Sequence, residues 1–124
     1  MTEPTNNSRN DAMEELCGQL RQFAANRDWA QFHSPKNLAI AVSVEAGELL
    51  EHFQWLTAEE SDNLSESQLA KVRQELADVF LYLISLSDKL GVDLVAAAFE
   101  KLELNAKKYP VKLAKGNAKK YTDL

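Results

Sequence analysis

The sequence is poor in the features that mark several large classes of protein. Its one cysteine, Cys17, excludes an intrachain disulfide and the stapled folds of oxidising compartments. No apolar run approaches the roughly 20 residues of a membrane span. The opening MTEPTNNSRN lacks the apolar centre of a signal peptide. Basic charge is in the minority: 14 Lys and Arg face 19 Asp and Glu, a formal net charge of −5. That balance argues against a nucleic acid polymer as partner, but not against a nucleotide whose charge a metal neutralises. Two histidines and one cysteine do not make the zinc set of a nucleotide deaminase. Strand alternation and internal repeats are also missing. The expectation is one helical domain in a reducing cytoplasm, with no membrane partner.

What is present is helical periodicity. Residues 1–10 read as a disordered lead-in, 11–110 as the helical domain and 111–124 as a basic tail. Met13, Leu16, Leu20 and Phe23 recur at helical spacing from Asp11 to about Asn26. Ser34 followed by Pro35 predicts an N-cap and first turn for a second helix reaching about Leu56. After the polar stretch TAEESDNLSES, Ser65 and Gln68 fit a capping box for a third helix over about 66–90, with Gly91 at its end. Asp93 can cap a fourth, which reaches about Tyr109 before Pro110 stops it. The expected fold is all-α, an antiparallel four-helix bundle. Lys107, Lys108, Lys112, Lys115, Lys119 and Lys120 make the tail either a solvated end or a basic flap beside an anionic ligand.

The second helix raises a problem. Leu38, Val42, Leu49, Phe53 and Leu56 form its apolar stripe at 100° per residue, yet Glu45 falls inside that stripe and Glu48 at its edge. The third helix is apolar around most of its circumference from Leu76 onward, the mark of a buried helix. It repeats the device, with Glu75, Asp78 and Tyr82 on one face. Acids three apart project to the same side. A single unpaired buried charge costs several kcal/mol, so converging carboxylates need protonation, basic partners or a divalent cation. Lys71 and Arg73 precede the buried part of the helix. A hard cation with oxygen ligands fits best, and magnesium is the natural choice. A di-iron centre needs Glu-x-x-His on two helices; His52 follows Glu48 by four, and the third helix has no histidine.

E-x-x-E on one helix and E-x-x-D on the next resembles the signature of the all-α nucleotide pyrophosphohydrolases, the MazG-like superfamily. FAANRDWAQFHSPKNL, GELLEHFQW, ELADVFLYLI, VDL, NAKKYP and KKYTDL bring the resemblance to its dCTP-hydrolysing branch over about residues 16–124. The resemblance implies magnesium-dependent hydrolysis of dCTP, or a modified dCTP, to the monophosphate and pyrophosphate. It implies a metal set of Glu45, Glu48, Glu75 and Asp78. It also implies substrate contacts from Trp29, Gln31, Phe32, His33, Trp55, Tyr82, Lys101 and Asn105, and a homodimer or homotetramer. Eukaryotic members carry a ligand-contacting histidine on the first helix where this chain has Leu20.

Each residue also has a plainer reading. Tryptophans more often pack in a core than stack on a base. His33 alone reads as an exposed loop histidine, and Tyr82 as a buried tyrosine with a backbone partner. Lys101 and Asn105, four apart, would be a polar stripe. Glu48 or Glu51 is expected to orient or deprotonate the attacking water, although Glu51 lies off the acid face. Cys17 is expected in the core without a charged neighbour. Ala96, Ala97 and Ala98 permit close helix contact in an assembly. The rival enzyme substrate is dUTP or another triphosphate. The rival class is a non-catalytic helical protein with an acidic groove.

Overall fold

Capping residues set the helix boundaries. A computed structural model describes residues 6–124, with side chains from residue 11 onward; residues 1–5 of the expected lead-in lie outside the described residues. The described residues form α1 (Asn6–Asn26), α2 (Pro35–Glu51), α3 (Ala58–Ser61), α4 (Glu66–Leu90), α5 (Leu94–Lys108) and α6 (Val111–Ala114). Two 3-10 turns, Ala30–Phe32 and Tyr121–Asp123, complete the set, and no strand occurs among the described residues. The all-α expectation holds, with its four long helices in place. The chain divides into two compact units, one ending at Gly91 and the other spanning Val92–Leu124.

The expected caps are all formed. The Ser34 hydroxyl accepts from the Asn37 N–H at 3.1 Å, with Pro35 in the first turn of α2. Ser65 and Gln68 close a reciprocal capping box on α4. Gly91 ends α4 in the left-handed region at φ 67°, where the missing Cβ removes the steric cost. Asp93 accepts from the Ala96 N–H at 3.0 Å to start α5.

Four boundaries differ from the expectation. α1 begins at Asn6, so half of the expected lead-in is helical. α2 stops at Glu51 rather than near Leu56. Beyond it the backbone tightens into three-residue bonds, His52 N–H to Leu49 at 3.3 Å and Phe53 N–H to Leu50 at 2.8 Å. Thr57 then opens α3 with a capping box to Glu60, so the polar connection contains a helical turn. In the basic tail, α6 forms after Pro110, and Tyr121 stacks edge-on against Tyr109 with centroids 6.0 Å apart. Lys108 Nζ lies 4.8 Å from the centre of the Tyr121 ring.

In the first unit α4 packs on both α1 and α2, most extensively on α2. Leu38 of α2 and Val72 and Ile84 of α4 are the buried apolar side chains among the described residues. The α2 stripe faces inward, with Val42, Leu49, Phe53 and Leu56 half-buried. The reading of α4 as a buried helix from Leu76 onward needs correcting. Leu76 and Phe80 stay exposed because α1 and α2 cover only part of its circumference. Cys17 is half-buried rather than core. It lies beside Asp88 and Arg21, charged neighbours brought close by folding, and burial raises its thiol pKa. Those neighbours form a two-point ion pair joining α1 to α4.

Candidate functional site

α2 and α4 bring three of the four acids together. Glu45 and Glu48 stand one turn apart on α2, and Glu75 comes from the facing stretch of α4. Each offers a carboxylate oxygen within 4.8 Å of the others. Oε2 of Glu45 and Oε2 of Glu75 are buried and have no hydrogen-bond partner. Glu45 titrates at about 7, pushed up first by burial, then by its hydrogen bond to Glu48 and the charges of Glu48, Asp78 and Glu75. Asp78, one turn after Glu75, is the fourth acid; its carboxylate acts on Glu45 from outside the close trio. Crowded anions with orphaned inward oxygens are the donor chemistry of a hard divalent cation. Glu51, the last residue of α2, is exposed and stands apart from the trio.

Asp78 also lines a cavity of about 460 Å³ between α1, α4 and the segment after α1. Its apolar wall includes Leu16, Leu20, Phe23, Trp29 and Leu81; its polar lining includes Gln19, His33, Tyr82 and Ser85. Trp29, His33, Asp78 and Tyr82 thus share one cavity, and Leu20 stands in its wall.

The segment after α1 positions the aromatic lining. The Trp29 N–H bonds to the Ala24 carbonyl at 2.9 Å and the Asp28 N–H to Ala25 at 3.1 Å. This pair of bonds ends α1 in a Schellman motif. Asp28 takes the left-handed position, φ 55°, that glycine usually fills. Trp29 then meets Phe23 edge-on at 5.7 Å and His33 at 6.5 Å between ring centroids. Gln31 faces back, its amide donating to the Asp28 carbonyl at 3.0 Å and Oδ2 at 3.1 Å. It secures the turn and does not line the cavity. Phe32 is exposed, while its carbonyl accepts from the Asn37 amide at 2.8 Å. Trp55, in the turn after α2, is 87% exposed and also lies outside that cavity. Lys101 and Asn105 share a face of α5 in the second unit.

Sequence reasoning missed Gln19 and Ser85 as cavity-lining residues. Their spacing is visible in the chain, one position before Leu20 and three after Tyr82, but neither residue type signals chemistry alone. It also missed the left-handed Asp28, since no glycine marked the turn.

The fold and the acid cluster together define an all-α protein with a carboxylate centre beside a part-apolar cavity. The MazG-like family model matches residues 40–124. Bovine dCTP pyrophosphatase 1 is 42% identical over 125 residues, covering 99% of this chain and 74% of the bovine one. Human dCTP pyrophosphatase 1 is 41% identical over 114 residues, covering 90% and 67% of the two chains. A crystallised pyrophosphatase from Archaeoglobus fulgidus superposes with a TM-score of 0.76 at 38% identity, covering 89% of this chain and 98% of its own. The chain belongs to the MazG-like family.

Proposed function

We propose that this enzyme hydrolyses dCTP, or a modified dCTP, to the monophosphate and pyrophosphate, and so removes surplus or altered nucleotides from the pool. One observation carries the reading: the carboxylate trio with its two orphaned buried oxygens stands one helical turn from Asp78, which lines a cavity of about 460 Å³. The resemblance to dCTP pyrophosphatases over nearly the whole chain supports this substrate.

In this reading Glu45, Glu48, Glu75 and Asp78 hold Mg²⁺. When bound, the cation neutralises triphosphate charge and polarises the phosphoryl oxygens. Glu48 is the proposed acceptor of the water proton, since it sits in the trio, whereas Glu51 is exposed and apart from it. The water oxygen bonds to the α-phosphorus, the bond from that phosphorus to the bridging oxygen breaks, and pyrophosphate leaves. Trp29 offers its face to the base and His33 a ring nitrogen. The Tyr82 hydroxyl is proposed to approach the sugar and crowd a 2′-OH. Gln31 and Phe32 act through the turn that carries Trp29. Trp55, Lys101 and Asn105 are proposed to reach the nucleotide as the family resemblance implies.

Assembly is part of the proposal. Ile40, Val44 and Leu50 on α2 and Leu69, Leu76 and Phe80 on α4 are all exposed. Apolar area of this kind is usually covered by a partner, and a homodimer or homotetramer would cover it. A monomer by light scattering at micromolar concentration would contradict this. We place the enzyme in the cytoplasm with the nucleotide pool; no helix among the described residues is long and apolar enough to cross a membrane.

The decisive experiment measures pyrophosphate release from a panel of deoxynucleoside triphosphates, with and without Mg²⁺. dCTP or a modified dCTP should be preferred, and Glu48→Gln should lower turnover by about a hundredfold or more. Absence of pyrophosphate from every substrate would leave the acidic-groove binding protein as the better account.

A further inference from the structure

The side chain that follows the α2 acids on the same side of the chain is a histidine. His52 caps the end of α2, four residues beyond Glu48. Its Nε2 stands 3.7 Å from Oε1 of Glu75, and both side chains are largely shielded from solvent. The other Glu75 oxygen, Oε2, is buried without a partner. The two oxygens of one carboxylate therefore have different surroundings: one faces an imidazole nitrogen and the other is left free.

We propose that His52 is a positioning residue for Glu75. Its Nε2, at ion-pair rather than hydrogen-bond distance from Oε1, draws that oxygen and sets the rotation of the carboxylate, which reserves Oε2 for the cation. Three features support this division of labour. The group of mutually close ligand atoms contains Glu45, Glu48 and Glu75 but not His52, whose nitrogen stands against the Glu75 carboxylate instead. Its backbone is anchored where α2 ends, with its N–H on the Leu49 carbonyl at 3.3 Å, so the ring has a fixed base from which to act. An imidazole N–H can also orient a carboxylate without a fixed ammonium that would compete with the cation. Partners placed behind a ligand in this way commonly change metal affinity by about 10- to 100-fold when removed.

The inference rests on the cation-binding reading of the cluster, and the test separates the two. Mn²⁺ binding without nucleotide is followed by electron paramagnetic resonance in wild type, Glu75→Gln, His52→Leu, His52→Asn and His52→Gln. Melting temperatures in chelator are measured alongside. His52→Leu and His52→Asn, which lack a donor of sufficient reach, should bind Mn²⁺ about tenfold or more weakly. Their melting temperatures in chelator should stay near wild type. His52→Gln, whose amide can reach the same oxygen, should recover most of the affinity. In turnover, the loss variants should need more Mg²⁺ while keeping kcat at saturating Mg²⁺. Wild type that binds no Mn²⁺, or Glu75→Gln that binds as tightly as wild type, overturns the cation reading itself. Tight binding by wild type and by His52→Asn, with Glu75→Gln impaired, overturns the positioning role alone. Equal weakness of His52→Gln and His52→Asn also overturns it, because the donor would then not matter. Should His52→Leu fail to fold, the Asn and Gln pair decides.

Discussion

Removing the charge at Glu45 should make the metal-free protein more stable at neutral pH. Glu45 titrates at about 7 instead of 4.5, chiefly because it is buried beside other carboxylates. Below pH 4.5 it is protonated in folded and unfolded chains alike, and no penalty applies. Between 4.5 and about 7 the unfolded chain releases this proton while the folded chain retains it, so stability falls as pH rises. Above about 7 the loss is complete. At about 1.4 kcal/mol for each tenfold change in proton concentration, and with solvent screening of a partly exposed carboxylate, it amounts to about 1–2 kcal/mol. For a chain of this length that is about 5 °C in melting temperature. Asp88 and Glu60 have lowered pKa values, held down by Arg21 and by the Thr57 cap. Their contributions are lost as pH falls below the ordinary carboxylate range, outside the window that concerns Glu45. Scanning calorimetry from pH 4.5 to 8 in chelator should therefore show wild type losing stability toward neutrality. Glu45→Gln, which cannot ionise, should lack that loss. Mg²⁺ at pH 8 should restore wild type and leave the variant nearly unchanged. Parallel pH profiles for the two proteins, or a wild-type melting temperature indifferent to Mg²⁺, would refute the reasoning.

Trp29→Ala should raise KM for the preferred triphosphate by about 5- to 150-fold, from the roughly 1–3 kcal/mol of a base-stacking contact; steady-state kinetics checks this, and an unchanged KM would remove Trp29 from the base site. Leu38→Ala deletes a side chain only 2% exposed. It should cost about 2–5 kcal/mol in urea denaturation. Ser65→Ala removes one half of the α4 capping box and should cost about 1 kcal/mol with little change in kcat.

The helices were legible wherever local chemistry decides them. Ser34–Pro35, Ser65 with Gln68, Gly91 and Asp93 each act within one turn of chain, and each boundary they set was formed. The acid trio was legible because a carboxylate in an apolar stripe contradicts its surroundings, and α2 and α4 carried the same contradiction. The end of α2 was not, since the continuing stripe at Phe53 and Leu56 suits a tightened turn as well as a helix. Nor were the left-handed Asp28 or the reversal of Gln31 toward it, both set by the backbone bonds that terminate α1. The Cys17 environment required Asp88, 71 positions away in the chain, which no local pattern reveals.

Glu75, Asp78, Tyr82 and Ser85 are successive rungs of one uninterrupted helix, α4. At about 1.5 Å per residue, Glu75 and Tyr82 are separated by about 10 Å along its axis. The spacing from the acidic centre, past Asp78 at the cavity's edge, to the Tyr82 and Ser85 wall is thus gauged by a rigid rod. Sequence change in the walls can reshape what the cavity admits, as with Leu20 or Trp29, but cannot slide it toward the carboxylates. A substrate with a shorter or longer spacer between its ring and its anionic end would meet one feature and miss the other, however well either half fits.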